Sequence, residues 1–146
     1  MLFVLPPATI EGKKIIPSHH PIMTATLAGV ALQEGAYVGV IDAALLGLSS
    51  KELAEQILSF GAEWVAFIPF EYRREISLES ALSTIEHLNN MGFSGMCGVM
   101  NASWGALEPR RAIEQKKLSF VSFGDGEPAV RAFAKSLQSP ARGVLW

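Results

Sequence analysis

Two adjacent histidines are the residues whose type is best suited to binding a metal. His19 and His20 lie at the end of a long polar segment, PPATIEGKKIIPSHHP, which spans residues 6–21. Adjacent side chains diverge, and no Cys or His cluster accompanies the pair, so a helix-entry or solvent role is favoured over a ligand role. The one cysteine, Cys97, leaves no partner for a disulfide and no cluster for zinc or iron–sulfur.

An acid at the end of an apolar segment is a second candidate. Asp42 ends the segment VGVID. In dinucleotide-binding folds such an acid binds a ribose hydroxyl, but those folds also need a GxGxxG after the first strand, which is missing here. NAD is therefore disfavoured, and a loop hydrogen bond or a helix cap is the favoured role of Asp42.

Small and polar residues in three later segments could line a ligand. PFEYRREIS, from Pro69, combines polar and aromatic side chains, although its charged residues also suit solvent. GVMNASWG, from Gly98, has glycines that allow close approach to the backbone, and its polar residues include Asn101 and Ser103. Trp104 in that segment either covers a core or stacks on a flat ligand.

The third segment, GDGEP at residues 124–128, precedes a predicted helix. Glycines before a helix N-terminus leave backbone N–H groups for an anion or an amide oxygen. The same letters also form an ordinary turn in which Asp125 or Glu127 caps the helix.

Apolar segments and helical periodicity predict the elements that position these residues. Five near-continuous apolar segments predict strands at 1–5, 37–41, 64–68, 94–99 and 119–123. Helical patterns lie between them, with Gly35, Gly61 and Gly92 as stops. Ser49 and Glu52 form a possible capping box, Ser77 is a possible cap, and Pro128 favours the start of the last helix.

This alternation predicts an α/β fold with a doubly wound parallel sheet, because apolar strands without alternation are covered on both faces. We expect a three-layer α/β/α, flavodoxin-like (Rossmann-like) arrangement with strand order 2-1-3-4-5. Ligands of such sheets bind beyond the carboxyl ends of the strands. We expect one domain over residues 1–138, followed by an exit tail or linker at 139–146, SPARGVLW.

Composition excludes several classes. With 49% hydrophobic and 18% charged residues the chain is not disordered, and a net charge of -2 without a basic stripe argues against nucleic acid. Gln33, Glu34 and Asp42 interrupt the most apolar stretch, which argues against a membrane span. The N-terminus lacks the charged region of a signal peptide, so we expect a cytoplasmic protein. Neither a receiver-domain acid pair nor a GxSxG elbow is present.

The order of the motifs resembles the cobalamin-binding domain of B12-dependent radical SAM enzymes. A strand ending in Pro6-Pro7 is followed by LAGVALQEGAYVGVIDA, which ends on Asp42. SSKELAEQI and GAEWVAFIPF are similar to the next helix and strand of that family. FVSFGDGEPAVRAFAKSL is similar to its signature strand, GEGE turn and helix, and ARGVLW to the strand that leads into the catalytic barrel.

The resemblance covers essentially the whole chain and implies a cobalamin cofactor. The candidate cofactor-binding residues are Pro7, His19, His20, Asp42, Pro69, Gly98, Asn101, Ser103, Gly124, Gly126 and Glu127.

Three of the family's motifs are absent or altered. Gly98-Val99-Met100-Asn101 replaces the usual GG pair, and the DxHxxG motif that supplies a histidine to cobalt is absent. The CxxxCxxC motif is also missing, so no iron–sulfur cluster is expected within this chain. The resemblance therefore implies a corrinoid-binding module that works with a radical SAM domain or chain. The alternatives are a protein-interaction module without cofactor and, more weakly, a stand-alone enzyme.

Overall fold

A five-stranded parallel sheet is the centre of the computed structural model, which describes residues 1–7, 9–10, 13–14, 21–69, 74–102, 109–116 and 118–138. Within these ranges the strands, in chain order, are β1 (Leu2–Leu5), β2 (Thr9–Ile10), β3 (Lys13–Lys14), β4 (Gly39–Asp42), β5 (Trp64–Phe67), β6 (Met96–Ala102) and β7 (Phe120–Phe123). The short strands β2 and β3 form a separate antiparallel pair.

The strands of the main sheet lie in the order β4-β1-β5-β6-β7, and every neighbouring pair is parallel. Counted along the chain, the five sheet strands have the order 2-1-3-4-5, which confirms the predicted topology. β4 and β7 are the two edge strands.

Helices cover both faces of this sheet. They are α1 (Ile22–Gln33), α2 (Ala43–Leu46), α3 (Ser50–Phe60), α4 (Arg74–Asn90), α5 (Pro109–Lys116) and α6 (Glu127–Gln138). Buried residues of α1 and α6 pack on one face, and those of α2, α3 and α4 pack on the other. The predicted three-layer, flavodoxin-like α/β/α fold is therefore confirmed. No helix in the described ranges is both long and apolar enough to cross a membrane.

Alternating strand residues supply the two cores. Leu2 and Val4 of β1 face α3 and α4, whereas Phe3 faces α1 and α6. On the α1/α6 face, the Trp64 ring stacks on Phe120 with centroids 5.0 Å apart, and Phe133 of α6 lies 5.2 Å from Trp64. Each fully buried large side chain contributes about 1.5–3 kcal/mol, so this cluster holds α6 firmly against the sheet.

Local sequence signals set most helix ends. The capping box at Ser49 and Glu52 is formed, since the Ser49 side chain accepts from the Glu52 N–H and Glu52 accepts from the Ser49 N–H. α3 then ends at Gly61, whose φ of 69° suits glycine. The predicted cap at Ser77 is wrong, because α4 already begins at Arg74 and Ser77 is buried within the helix.

Candidate functional site at the carboxyl edge of the sheet

The carboxyl ends of the five parallel strands form one edge, and most candidate residues in the described ranges lie along it. In spatial order these residues are Asp42 at β4, Pro7 after β1, Pro69 after β5, Asn101 at β6, and Gly124, Gly126 and Glu127 after β7. Neighbouring strands lie about 4.8 Å apart, so this edge spans about 19 Å. The structure therefore brings together residues that are far apart in the sequence.

The switch point of this sheet lies between β1 and β5. The chain leaves β1 toward β4 and returns to β5 on the other side, and ligands of such sheets bind where the direction reverses. The Ile68 N–H donates to the Val4 carbonyl at 2.8 Å, which ties the end of β5 to β1. Pro7 and Pro69, the candidates that follow these strands, are both buried. They form the base of the edge at this point.

A β-bulge shapes the end of β6. Val99 lies opposite Val121 and Ala102 lies opposite Phe123, so β6 carries one more residue than β7 between these pairs. Asn101, within this bulge, has a φ of 55°, and it is the sole residue other than glycine with a positive φ in the described part of the chain. Asparagine tolerates this left-handed conformation better than most residues. Bulges of this kind often redirect a side chain beside a functional site.

The turn after β7 places two left-handed glycines next to that bulge. Gly124 and Gly126 have φ values of 76° and 80°. The Val130 N–H donates to the Gly126 carbonyl at 3.0 Å, so α6 begins directly after this turn. Its first residue, Glu127, is a half-buried acid at the positive end of the helix dipole.

The two glycines differ in what surrounds them. A side chain at Gly124 would meet no atom within 4 Å, so the surface above it is open. At Gly126 a Cβ would lie 3.0 Å from Met100 Cε and 3.3 Å from Leu27 Cδ2. The turn after β7 therefore has an accessible outer part at Gly124 and an apolar base beneath Gly126. Sequence reasoning missed this base, because it requires residues from three separate elements.

Asp42 has a structural role at the end of β4. Its Oδ1 accepts a hydrogen bond from the Leu45 N–H at 2.9 Å, which makes Asp42 the N-cap of α2. The sequence favoured a capping role for this acid, and the structure confirms it. One carboxylate oxygen is therefore engaged within the protein.

Gly98 lies away from the open edge. It is inside β6, three residues before Asn101, and it is paired with Ala66 and Phe120 on the two sides. A Cβ at this position would lie 2.6 Å from Phe120 Cγ. The structure thus explains this glycine by packing, and the strand continues to Ala102 rather than ending at Val99.

Three candidates, His19, His20 and Ser103, lie outside the described residues. Their contributions stay predictions, as does the tail at 139–146. Within the described ranges, no group of three or more His, Cys, Asp and Glu residues is placed to hold a metal ion.

A cavity of about 460 Å³ lies at the opposite, amino edge of the sheet. Its lining includes Ile57 near the end of α3, Glu63 before β5, and Phe93 and Met96 around the start of β6. Gly61 and Gly92 also line this cavity, although in the sequence they indicate only the ends of helices.

Comparison with known proteins adds no assignment to this geometry. No family model matches the chain, and neither a curated protein nor a solved structure matches it.

Proposed function

We propose that this chain binds a corrinoid across the carboxyl edge of its sheet and positions it for a radical SAM domain or chain. The observation that carries the proposal is the gathering of the motifs that resemble cobalamin-binding domains. Pro7, Asp42 and the Gly124–Gly126 turn come from three separate segments, and they lie along one edge of a sheet with the order 2-1-3-4-5.

Two features of this edge support the proposal of a large flat ligand. The open surface at Gly124 and the half-buried side chain of Asn101 lie on neighbouring strands, so both can face the same ligand. Gly126 approaches Leu27 and Met100 so closely that the ligand must lie above this turn rather than beneath it. Gly98 lies below the edge, and we assign it no direct contact.

The residues of the chain would act by binding and orientation. The amide of Asn101 can donate to or accept from the amide side chains of a corrinoid. Backbone N–H groups at the start of α6 would bind an acceptor oxygen. Methyl or radical chemistry would be supplied by the cobalt of the bound group together with the partner domain.

A substitution at Asn101 tests the location of the site. Asn101→Gly removes the side chain while permitting the φ of 55°. Loss of one hydrogen bond of about 1 kcal/mol corresponds to a roughly fivefold weaker affinity for hydroxocobalamin in equilibrium dialysis. Asn90→Gly makes the same change at the exposed end of α4 and should leave binding unchanged. Equal affinity of the wild-type and Asn101→Gly proteins would place the ligand elsewhere.

The second candidate function is a protein-interaction module that keeps the fold without the cofactor. It is favoured by the structural roles of three residues that the resemblance implies as cofactor contacts. Asp42 caps α2, Gly98 packs against Phe120, and Gly126 packs on Met100 and Leu27. The test is affinity capture with a purified radical SAM chain. A specific complex formed by protein that binds no corrinoid would support this candidate, and no complex would reject it.

A further inference from the structure

The edge strand β4 has backbone groups directed away from the sheet. Gly39 donates its N–H to the Met1 carbonyl at 3.0 Å and lies opposite Leu2, so its hydrogen-bonding groups point toward β1. Because these groups alternate along a strand, the N–H and C=O of Val40 point the other way. Among the described strands, β4 pairs with β1 alone. Val40 therefore presents a donor and an acceptor to a further strand.

Exposed apolar side chains border this edge. Val40 on the strand is 50% exposed, Leu45 and Leu46 in the helix that follows are 64% and 60% exposed, and Phe60 at the end of α3 is 52% exposed. Tyr37, just before the strand, is 95% exposed. Soluble proteins usually protect a sheet edge with charges, proline or a covering element. Here the one charge on the strand, Asp42, lies at its end, and the exposed side chains that border the rest are apolar, which is typical of an interaction surface.

Phe60 and the Leu45–Leu46 pair lie toward opposite ends of β4, on helices that pack on the same face of the sheet. Val40 is in register with Phe3, which faces α1 and α6. Phe60 lies over the amino end, because a Cβ at Gly39 would be in contact with its Cζ and 2.8 Å from its Cε2. Leu45 and Leu46 lie beyond the carboxyl end, in α2, whose Ala43 packs in the same core as α3. A two-fold rotation that pairs β4 with itself in antiparallel fashion exchanges the two ends. The rotation therefore brings the helix that carries Leu45 and Leu46 in each copy toward Phe60 of the other copy.

We infer that β4 pairs antiparallel with β4 of a second copy of this chain, with the two-fold axis beside Val40. Val40 of each copy exchanges two backbone hydrogen bonds with Val40 of the other, and the two parallel sheets join into one of ten strands. The proposal is independent of the corrinoid, which would bind at the carboxyl ends of the strands.

The charges on β4 permit a second copy of the chain to pair with this edge strand. The one charged residue of β4 is Asp42. In this register Asp42 lies opposite position 38 of the other copy, so the two Asp42 residues are separated by about four residues, or about 13 Å along the strand. That distance exceeds the Debye length of about 8 Å at physiological ionic strength, so their repulsion is largely screened. The chain's net charge of -2 adds little further repulsion.

Light scattering coupled to gel filtration tests the association. The 146-residue protein should elute with about twice the 15.8 kDa mass of one chain. Val40→Pro removes the outward N–H without removing a bond to β1, and it should yield a monomer. Val40→Thr keeps the N–H and the branched shape, and it should remain a dimer. Leu46→Lys should weaken association at least tenfold, whereas Leu137→Lys, on α6, should change it less than twofold.

Cysteine cross-linking tests the register. Paired Val40 positions would have Cα atoms about 5.5 Å apart, within disulfide range, so Val40→Cys should form a covalent dimer on oxidation. The two Tyr37 positions would lie about 20 Å apart, and Tyr37→Cys should not cross-link. The native Cys97 is 3% exposed and should not interfere.

Several results would overturn this inference. They are a wild-type monomer at every concentration tested, a dimer that persists in Val40→Pro, and cross-linking of Tyr37→Cys in place of Val40→Cys. A monomer whose Val40 amide is protected from hydrogen exchange would also overturn it, because the edge would then be covered within one chain.

Discussion

The carbonyl oxygen and the ring of Phe120 occupy the space into which a side chain at Gly98 would extend. The two residues are paired across β6 and β7, and a Cβ on Gly98 would lie 2.6 Å from Phe120 Cγ. Phe120 in turn stacks on Trp64 with an interplanar angle of 1°. The missing side chain at position 98 therefore makes room for an aromatic stack beneath α6.

Replacing Gly98 should destabilise the protein. Gly98→Ala places a methyl group against both the backbone carbonyl oxygen and the ring of Phe120. Because the carbonyl cannot turn aside as a flexible side chain does, this overpacking should lower the free energy of unfolding by at least about 1–3 kcal/mol. Urea denaturation followed by circular dichroism measures the change. Gly29→Ala is the matched control, since a Cβ there meets nothing within 4 Å in α1, and alanine should raise stability by about 0.5–1 kcal/mol. Equal effects of the two substitutions would contradict this packing.

The two glycines of the turn after β7 should respond differently to the same substitution. Gly124→Ala and Gly126→Ala both force alanine to a positive φ, at a cost of about 1–2 kcal/mol each. Gly126→Ala also presses on Met100 and Leu27, so it should lose about 1 kcal/mol more in denaturant titration. If Gly124→Ala lowered the free energy of unfolding more than Gly126→Ala, the result would contradict the apolar base beneath Gly126.

Two substitutions of Asp42 distinguish its role as a helix cap from a possible contact of its charge with the ligand. Asp42→Ala removes the acceptor for the Leu45 N–H and should lower the free energy of unfolding by about 1 kcal/mol. Asp42→Asn keeps an acceptor oxygen and should be close to wild type in thermal unfolding. Because the cap explains this residue, Asp42→Asn should also retain hydroxocobalamin binding. Loss of binding with normal stability would show that the charge contacts the ligand.

The buried thiol of Cys97 predicts a loss of stability at alkaline pH. Burial raises the pKa of Cys97 from 9.0 to about 12. The thiol is protonated in both states below about pH 9, and between pH 9 and pH 12 the unfolded chain loses this proton more readily than the folded protein. Stability from this group is therefore fully present below pH 9 and is lost as the pH rises through about 12.

Denaturation of wild type and Cys97→Ala at about pH 8 and about pH 10.5 measures this contribution. Wild type should lose roughly 2 kcal/mol more than the variant over this range, since each pH unit corresponds to about 1.4 kcal/mol. A thiol reagent should modify Cys97 only after unfolding. Rapid modification of the native protein, or parallel losses in both proteins, would contradict the burial of this thiol.

The core of the fold could be predicted because its signals are local. The Ser49–Glu52 capping box and the helix ends at Gly35, Gly61 and Gly92 are each written within a few residues, and all four are present in the structure. The near-continuous apolar strands likewise predicted a sheet that is covered on both faces. The rules for parallel crossovers predict a doubly wound sheet but do not fix its strand order. The expected flavodoxin-like order 2-1-3-4-5 is the order that the sheet has.

Other features depend on contacts between distant segments and could not be predicted. α2 has four residues, which is too short for helical periodicity to reveal. β6 extends to Ala102 only because a bulge keeps it paired with β7. VGVI also looks the same as a central strand, although β4 is an edge and leaves Val40 half exposed. For the candidate site, the sequence identified the shared edge, whereas the packing of Gly98 and Gly126 required the assembled structure.

The most direct test of the proposed function is the visible spectrum of the purified protein after incubation with excess hydroxocobalamin and removal of unbound ligand by gel filtration. We predict that the corrinoid absorbance elutes with the protein, at one equivalent per chain, and that heat denaturation releases it. A protein peak without corrinoid absorbance would contradict the proposal.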